Sequence, residues 1–306
     1  MTWKDAVMPS AERAGVVGSL WRFPVKSMLG EQLDTIELGA DGVVGDRAYA
    51  LVDTETTKVL SAKHPRKWPL LLQCRAEFTD PPSPGSKLPS VCVTFPDGST
   101  VTSDEPDVDA VFTAQFGHPV TLATTAPTDF TIDDYHPDVD GLGPGRQPDT
   151  LSETRLGAAF FADAGLPSAV AAGSFLDLFP VSVLTTSTLA ELRRHAPDSR
   201  FDPRRFRMNV VIDTSERGFL ENEWLGHTIS IGDAAIAVMI PDPRCVMTTL
   251  AQEDLAKDNS VLQTIARHNR IDVAGQGLFP CAGAYAVVSI TGTIHRGDPV
   301  TLDDPS

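Results

Sequence analysis

The chain has 306 residues, 42% of them hydrophobic, and a formal charge of 25 − 41 = −16. That length and apolar fraction suffice for one large or two smaller cored domains and leave no case for disorder. The acidic balance argues against nucleic acid or an anionic membrane as the main partner, because both attract basic surfaces.

The opening "MTWKDAVMPSAERAG" carries acids early and no apolar h-region, so no secretory signal is read there. No run of about 18 apolar residues occurs, and no transmembrane helix is expected. From about residue 15, "VVGSLWRFPV", "LDTIELG", "RAYALVD", "LLLQCRAEF", "SVCVTF" and "PVTLATT" read as short strands between turn-prone stretches. Residues 127–150, rich in Asp, Pro and Gly, read as a linker or insertion. Their "GLGPG" lacks the preceding strand that a nucleotide loop needs.

Beyond them, "ETRLGAAFFADAG" is a helix candidate and "FPVSVLTT" a strand. "TLAELRRH" opens on a capping-box pattern, Thr188 to Glu191, which predicts a helix start. "RFRMNVVIDT" reads as a strand, and "HTISIGDAAIAVMI" as a hairpin turning at Gly232-Asp233. "DLAKDNSVLQTIARHN" is helical, with Val261, Leu262, Ile265 and Ala266 on one apolar face. "AYAVVSITGTIHRGDPVTL" reads as two strands around a glycine turn. Many short strands with few helices predict a β-rich fold, barrel or sandwich, with the helices packed outside.

The four cysteines, Cys74, Cys92, Cys245 and Cys281, are far apart and form no CxxC pair. This suits free thiols in a reducing cytoplasm and gives no local iron–sulfur motif. The seven histidines form no HExxH pattern. Cys245, in "IPDPRCVMTTL", follows a strand-like run and stands beside Arg244, a cation expected to favour the thiolate. Its bland alternative is a buried core thiol, the commoner state of a free cysteine. Lys26 and Ser27 in "FPVKS", Arg47 in "GDRAYAL", and Arg204, Arg205, Arg207 and Asn209 in "RRFRMN" suit an anion such as phosphate. Taken singly, each is more ordinarily a solvated strand-end group.

Taken in order, "FPVKS" with "GDRAYALVD", "FPVSVLTTSTLAEL", "DPRRFRMNVVI", "PRCVMTTL" and "GAYAVVSITGTIHRGDPVTL" resemble the MOSC family. They are most similar to its branch with an N-terminal β-barrel domain, which includes the mitochondrial amidoxime reducing components. The resemblance spans roughly residues 15–80 and 170–303. It implies an N-terminal β-barrel domain over 14–126, the linker or insertion at 127–150, and a MOSC β-barrel domain over 151–303. It also implies a molybdenum cofactor whose metal takes Cys245 as its protein thiolate, the catalytic position. Lys26, Ser27, Arg47, Arg207, Asn209 and Arg244 would then meet the cofactor's phosphate and polar edge, with Thr185, Thr186 and Ser187 adding hydroxyls. Two departures stand out: Pro243 where relatives often carry serine, and Met208 in place of a common proline.

The resulting expectation is a cytoplasmic reductase of N-hydroxylated or N-oxide-type small molecules. The sequence carries no local iron–sulfur motif and no nucleotide fingerprint. Electrons are therefore expected from a separate protein, cytochrome b5-like or of the ferredoxin or flavin-reductase type, with neither nucleic acid nor membrane as partner. The competing expectations are a carrier that stores or hands over the molybdenum cofactor, and a sulfur carrier with a persulfide on Cys245.

Overall fold

The computed structural model describes residues 12–303. The segment on which the absence of an export signal was read lies largely outside them. The chain is mostly strands, as expected, and its centre is a closed ring. Strand Glu12–Arg22 pairs with Pro299–Leu302, which pairs with Thr228–Ile231; Ala234–Pro243, Leu278–Ile290, Val181–Thr185 and Val210–Asp213 follow, and the last returns to Glu12–Arg22. Closure leaves the ring itself no exposed edge.

Within the ring only the pair Val181–Thr185 and Val210–Asp213 is parallel, which requires a crossover. Helix Thr186–His195 lies in that connection. Inward residues such as Leu20, Val183, Ile212, Ile236, Ala286 and Val300 fill the barrel, each at most 1% exposed. Helix Ser260–His268 buries Val261, Leu262, Ile265 and Ala266, the face read from sequence.

The N-terminal unit is built from two small sheets, Ala50–Asp53 with Val120–Ala123 and Arg75–Phe78 with Val91–Thr94 and Thr100–Thr102. Helix Val108–Phe116 closes it over a second core that includes Met28, Leu51, Trp68, Leu71 and Phe112. The two units interlock. Glu12–Arg22 belongs to the ring, and Thr35–Gly39 pairs with Gly292–His295.

Three local expectations change. Residues 127–150 are not a bare connection, since Thr131–His136 pairs along its length with Thr150–Arg155. "ETRLGAAFFADAG" is split: its first residues end that hairpin, and the helix is only Gly157–Asp163. The break is set by Gly157, whose φ of +59° lies in the left-handed region and where a Cβ would meet Phe130 at 3.0 Å. The closing segment holds three strands, not two, because Gly292–His295 leaves the ring to pair with Thr35–Gly39. No helix among the described residues is long and apolar enough to cross a membrane.

Candidate functional site

Where the N-terminal unit meets one end of the ring, the chain leaves two adjoining cavities of about 80 and about 100 Å³. Both are lined by Arg47, Lys63, Asp177, Arg207, Met247 and Tyr285. Lys26, Ser27 and Asn209 line the first, and Arg244 and Cys245 the second. Residues spread over more than 200 positions of sequence thus converge on one space.

The backbone there is strained. Of seven non-glycine residues with left-handed φ among the described residues, three are Ser27 (+65°), Arg47 (+47°) and Arg207 (+57°). Side-chain-bearing residues take this conformation at a cost, and such positions gather at functional sites. Each is over-determined by its bonds. Ser27 Oγ accepts from Ala62 N at 3.1 Å. Arg47 N donates to Phe23 O at 2.8 Å, and its Nη2 donates to Arg207 O at 3.0 Å. Arg207 Nη1 donates to Met28 O at 2.6 Å, and both guanidinium groups lie over the Phe23 ring, at 4.5 and 4.3 Å.

Positive charge is in surplus. Lys26 and Lys63 share one carboxylate, Asp177; Lys63 Nζ donates to it at 2.7 Å and Lys26 pairs with its other oxygen. Arg47 pairs with Asp46, whereas Arg207 has no ion-pair partner among the described residues. Burial, then the like charge of Arg47, pulls Arg207 down to about 9. Burial also pulls Lys26 down to about 8, against the attraction of Asp177. Burial alone would raise the Asp177 carboxyl, but the two lysines overcome it and hold it well below the usual carboxylate range. Such a site favours a bound anion, which would relieve both cations.

Cys245 sits in extended backbone at the junction between strand Ala234–Pro243 and a 3₁₀ turn, Val246–Thr249. It is half-buried. The expectation that Arg244 sets its thiolate is corrected. Arg244 is locked into Asp242 and donates to Phe206 O at 2.5 Å. Burial pushes the Cys245 thiol up, and the foremost opposing cation is Lys63, ahead of Arg244. Arg244 Nε is nonetheless enclosed without a partner.

Asn209 lines the cavity, but its amide is spent on the wall. Its Oδ1 accepts from Ser182 N and Oγ at 3.1 and 3.0 Å, and its Nδ2 donates to Asp46 at 2.9 Å. Thr185, Thr186 and Ser187 line neither cavity. Thr185 caps helix Thr186–His195, its Oγ1 accepting from Thr188 N at 3.2 Å and lying 2.7 Å from Ser187 Oγ. Thr186 Oγ1 accepts from Thr214 N at 3.1 Å. The cap is therefore Thr185 and not Thr188, whose hydroxyl donates to the buried Glu221. Those hydroxyls are consumed by the helix end. Arg204 faces outward onto Asp202, Glu253 and Asp254. Arg205 is buried against the carbonyls of Leu250 and Ala256, at 3.1 and 2.7 Å.

Residues not singled out from sequence complete the site: Lys63, Asp177, Ser182, Asp242 and Tyr285. Asp177 stood within the stretch of resemblance, four residues before strand Val181–Thr185, and a lone acid at a strand entrance was its available signal. Lys63, in "SAKHP", had none.

The donor set can be tested against a molybdenum cofactor on these observations alone. A thiol, the soft donor that molybdenum accepts, stands at one end. At the other, a surplus of cations suits a phosphate, and Arg207 lacks any carboxylate. The residues fit such a group.

Two family models match the chain. Residues 14–115 match the model of the MOSC N-terminal beta barrel domain, and residues 172–301 that of the MOSC domain. The chain belongs to the MOSC family. Human mitochondrial amidoxime-reducing component 1 is 23% identical to this MOSC chain over 316 residues, covering 95% of this chain and 84% of the relative. Bovine mitochondrial amidoxime reducing component 2 is 28% identical over 131 residues, 42% of this chain and 38% of the relative. Among solved structures, the YuaD protein of Bacillus subtilis aligns over 94% of this MOSC chain and 95% of its own at 11% identity, with a TM-score of 0.40. YiiM of Geobacillus stearothermophilus aligns over 41% of this chain and 54% of its own at 19% identity, with a TM-score of 0.28.

Proposed function

We propose that this MOSC protein holds a molybdenum cofactor and reduces N-hydroxylated or N-oxide-type small molecules with electrons from a separate protein. The observation that carries this reading is the polarity of one continuous space, with a half-buried thiol at one end and an unpaired arginine among surplus cations at the other. The names of the relatives, amidoxime-reducing components, supply the reaction type.

When bound, the cofactor would supply two-electron chemistry and oxygen-atom abstraction from nitrogen. The net reaction is R–NH–OH plus two electrons and two protons, giving R–NH2 and water. Cys245 would give the metal its protein thiolate, with the cation of Lys63 beside it. Lys26, Arg47 and Arg207 would hold the phosphate, and Ser27, through its fixed hydroxyl, the neighbouring polar edge. Asp177 keeps both lysines aimed into the space, and Asp242 does the same for Arg244. Cytochrome b5-like and ferredoxin- or flavin-reductase-type proteins are the donors proposed.

The test is production in a host that makes the cofactor, followed by molybdenum and pterin analysis and turnover of an N-hydroxylated compound with dithionite-reduced viologen. Bound molybdenum and viologen-driven reduction, with none driven by NADH or NADPH alone, is the expected result. Cofactor bound without turnover would instead favour a carrier, and a trapped persulfide on Cys245 a sulfur-transfer role.

A further inference from the structure

A separate cavity of about 470 Å³ lies against the Cys245 end of the site, across a wall one residue thick. Ala62 and Val246 line it. Their neighbours on both sides, Ser61 and Lys63, Cys245 and Met247, line the two small cavities instead. In both stretches successive residues therefore face different cavities. Ala62 N, which donates to Ser27 Oγ at 3.1 Å, ties this wall to the cofactor space.

Three parts of the chain build the larger cavity. Residues 62–73 give an apolar floor of Ala62, Trp68 and Leu72, and the turn after Cys245 adds Val246; each is at most 5% exposed. Tyr135 and Pro137 come from the stretch between the two matched domains, 14–115 and 172–301. Both aromatic side chains are held in place. Phe116 and His118 meet the Trp68 ring edgewise, with centroids 6.5 and 5.5 Å away, and Lys67 Nζ lies 4.7 Å from its centre. Tyr135 OH donates to Asp149 Oδ1 at 2.7 Å, and Arg66 Nη2 donates to both oxygens, at 3.2 and 2.8 Å. The Arg66 guanidinium lies over the tyrosine ring at 4.7 Å. Gln73 Nε2, donating to Ala251 O at 2.9 Å, joins the floor to the rim.

The charges of the lining cancel. Arg66 is matched by Asp149. The other two charged residues there, Lys257 and Asp138, are of opposite sign, and neither has an ion-pair partner among the described residues. Sites for small molecules measure roughly 300–1,000 Å³, with apolar and aromatic walls and few polar groups. A charged guest would leave water for such walls with no surplus counter-charge to offset the cost. Size and lining thus select an uncharged body, and Trp68 and Tyr135 favour a planar aromatic one.

We propose that this cavity is a second ligand site, distinct from the cofactor space, for an uncharged small molecule with a planar aromatic body. Its occupant would rest on the backbone that carries Lys63 and Cys245. That chemistry has two sources, the body of an N-hydroxylated substrate or a separate effector acting across the wall. The binding claim stands without the N-reductive reading; only the choice between sources rests on it.

The experiment uses the full chain, cofactor-free and cofactor-loaded, with 2-naphthamide as the neutral probe and 2-naphthoate and 2-naphthamidine as its charged analogues. Calorimetry is expected to show 2-naphthamide binding in both forms, and both charged analogues binding at least about tenfold more weakly. Ala251→Trp, which fills the cavity from its exposed rim, and Tyr135→Ala, which removes an aromatic wall, should each weaken 2-naphthamide about tenfold or more. Melting curves check that both variants fold. No binding of 2-naphthamide up to its solubility limit, tighter binding of either charged analogue, or an affinity that neither folded variant changes would overturn the site. Loaded protein turning over 2-naphthamidoxime under reduced viologen separates the sources. A rise in KM alone in Ala251→Trp assigns the site to the substrate's body, whereas a kcat that shifts with added 2-naphthamide at saturating substrate assigns it to an effector. If wild type shows no turnover, the N-reductive reading fails, and calorimetry still decides the site.

Discussion

Two buried polar clusters lie at opposite ends of strand Val181–Thr185, and they are built on opposite principles. At its C-terminal end, Thr185, Ser187, Thr188 and Glu221 are each at most 3% exposed, and their bonds close on one another. Glu221 takes Thr185 N and Thr188 Oγ1, and Thr185 Oγ1 takes Thr188 N. At its N-terminal end, Lys26, Lys63, Arg47 and Arg207 crowd round Asp177 and Asp46 with donors to spare. The first cluster is complete without a ligand and does structural work. The second is strained, over-charged and incomplete. Hydroxyl content and nearness in sequence to a functional strand are shared by both, so they discriminate nothing; unspent bonding capacity does.

The largest effect expected is from Cys245→Ala, which should abolish molybdenum-dependent turnover while costing about 1 kcal/mol of stability. A variant that keeps wild-type reductase activity with bound metal would remove the thiol from the site. For the satisfied cluster, Glu221→Ala should leave Thr185 N and Thr188 Oγ1 buried without an acceptor. We expect a loss of about 3 kcal/mol in denaturant unfolding, with cofactor content per folded molecule unchanged. A drop in cofactor content without destabilisation would erase the contrast.

Arg207→Met should do the reverse. Loss of a charge-assisted bond to the phosphate is worth about 1.5–3 kcal/mol, or roughly tenfold to a hundredfold in cofactor affinity. In cofactor-free protein the melting temperature should hold or rise, because a like charge beside Arg47 is removed.

The smallest effect is one of pH. Burial holds Lys26 at about 8 in the fold against 10.5 in an unfolded chain. Between those values the unfolded state binds more protons, so this group's contribution to stability rises with pH from 8 to 10.5, by about 1–3 kcal/mol. Cofactor-free wild type measured against Lys26→Met should show that rise, and bound cofactor should flatten it. A difference that falls over the same window would contradict the burial argument.

How far the sequence led depended on whether a signal was local. The strand before Cys245, the hairpin turn at Gly232, and the apolar face of helix Ser260–His268 were legible, because periodicity and turn chemistry act within a few residues. The residues alone left barrel and sandwich both open, because closure depends on pairings such as Val181 with Ala286; the family resemblance supplied the barrel. Lys26, Arg47 and Arg207 were brought to one phosphate only through the resemblance, and Asp177 and Lys63 were not named. Thr185 to Ser187, named through the resemblance, line neither cavity, and an N-cap and an anion site ask for the same side chains. Hairpin Thr131–Arg155 was hidden in a stretch whose Asp, Pro and Gly content masked a six-residue ladder.

Strand Glu12–Arg22 carries a further consequence, for the order in which the molecule forms. Its Arg13 pairs with Thr301 and its Val16 with Pro299, while its other edge meets Val210–Asp213. Nearly the whole chain separates these partners, so the ring cannot close until synthesis has passed residue 302. Contacts of such long sequence separation form slowly. Until then the first strand keeps an open, apolar edge, the kind that chaperones protect and that invites mispairing between nascent copies. Leu278–Ile290, which carries Tyr285 to the cavity wall, also belongs to that late closure. A ligand recognised by the finished space can therefore enter only once residues 299–302 have been made and have closed the ring.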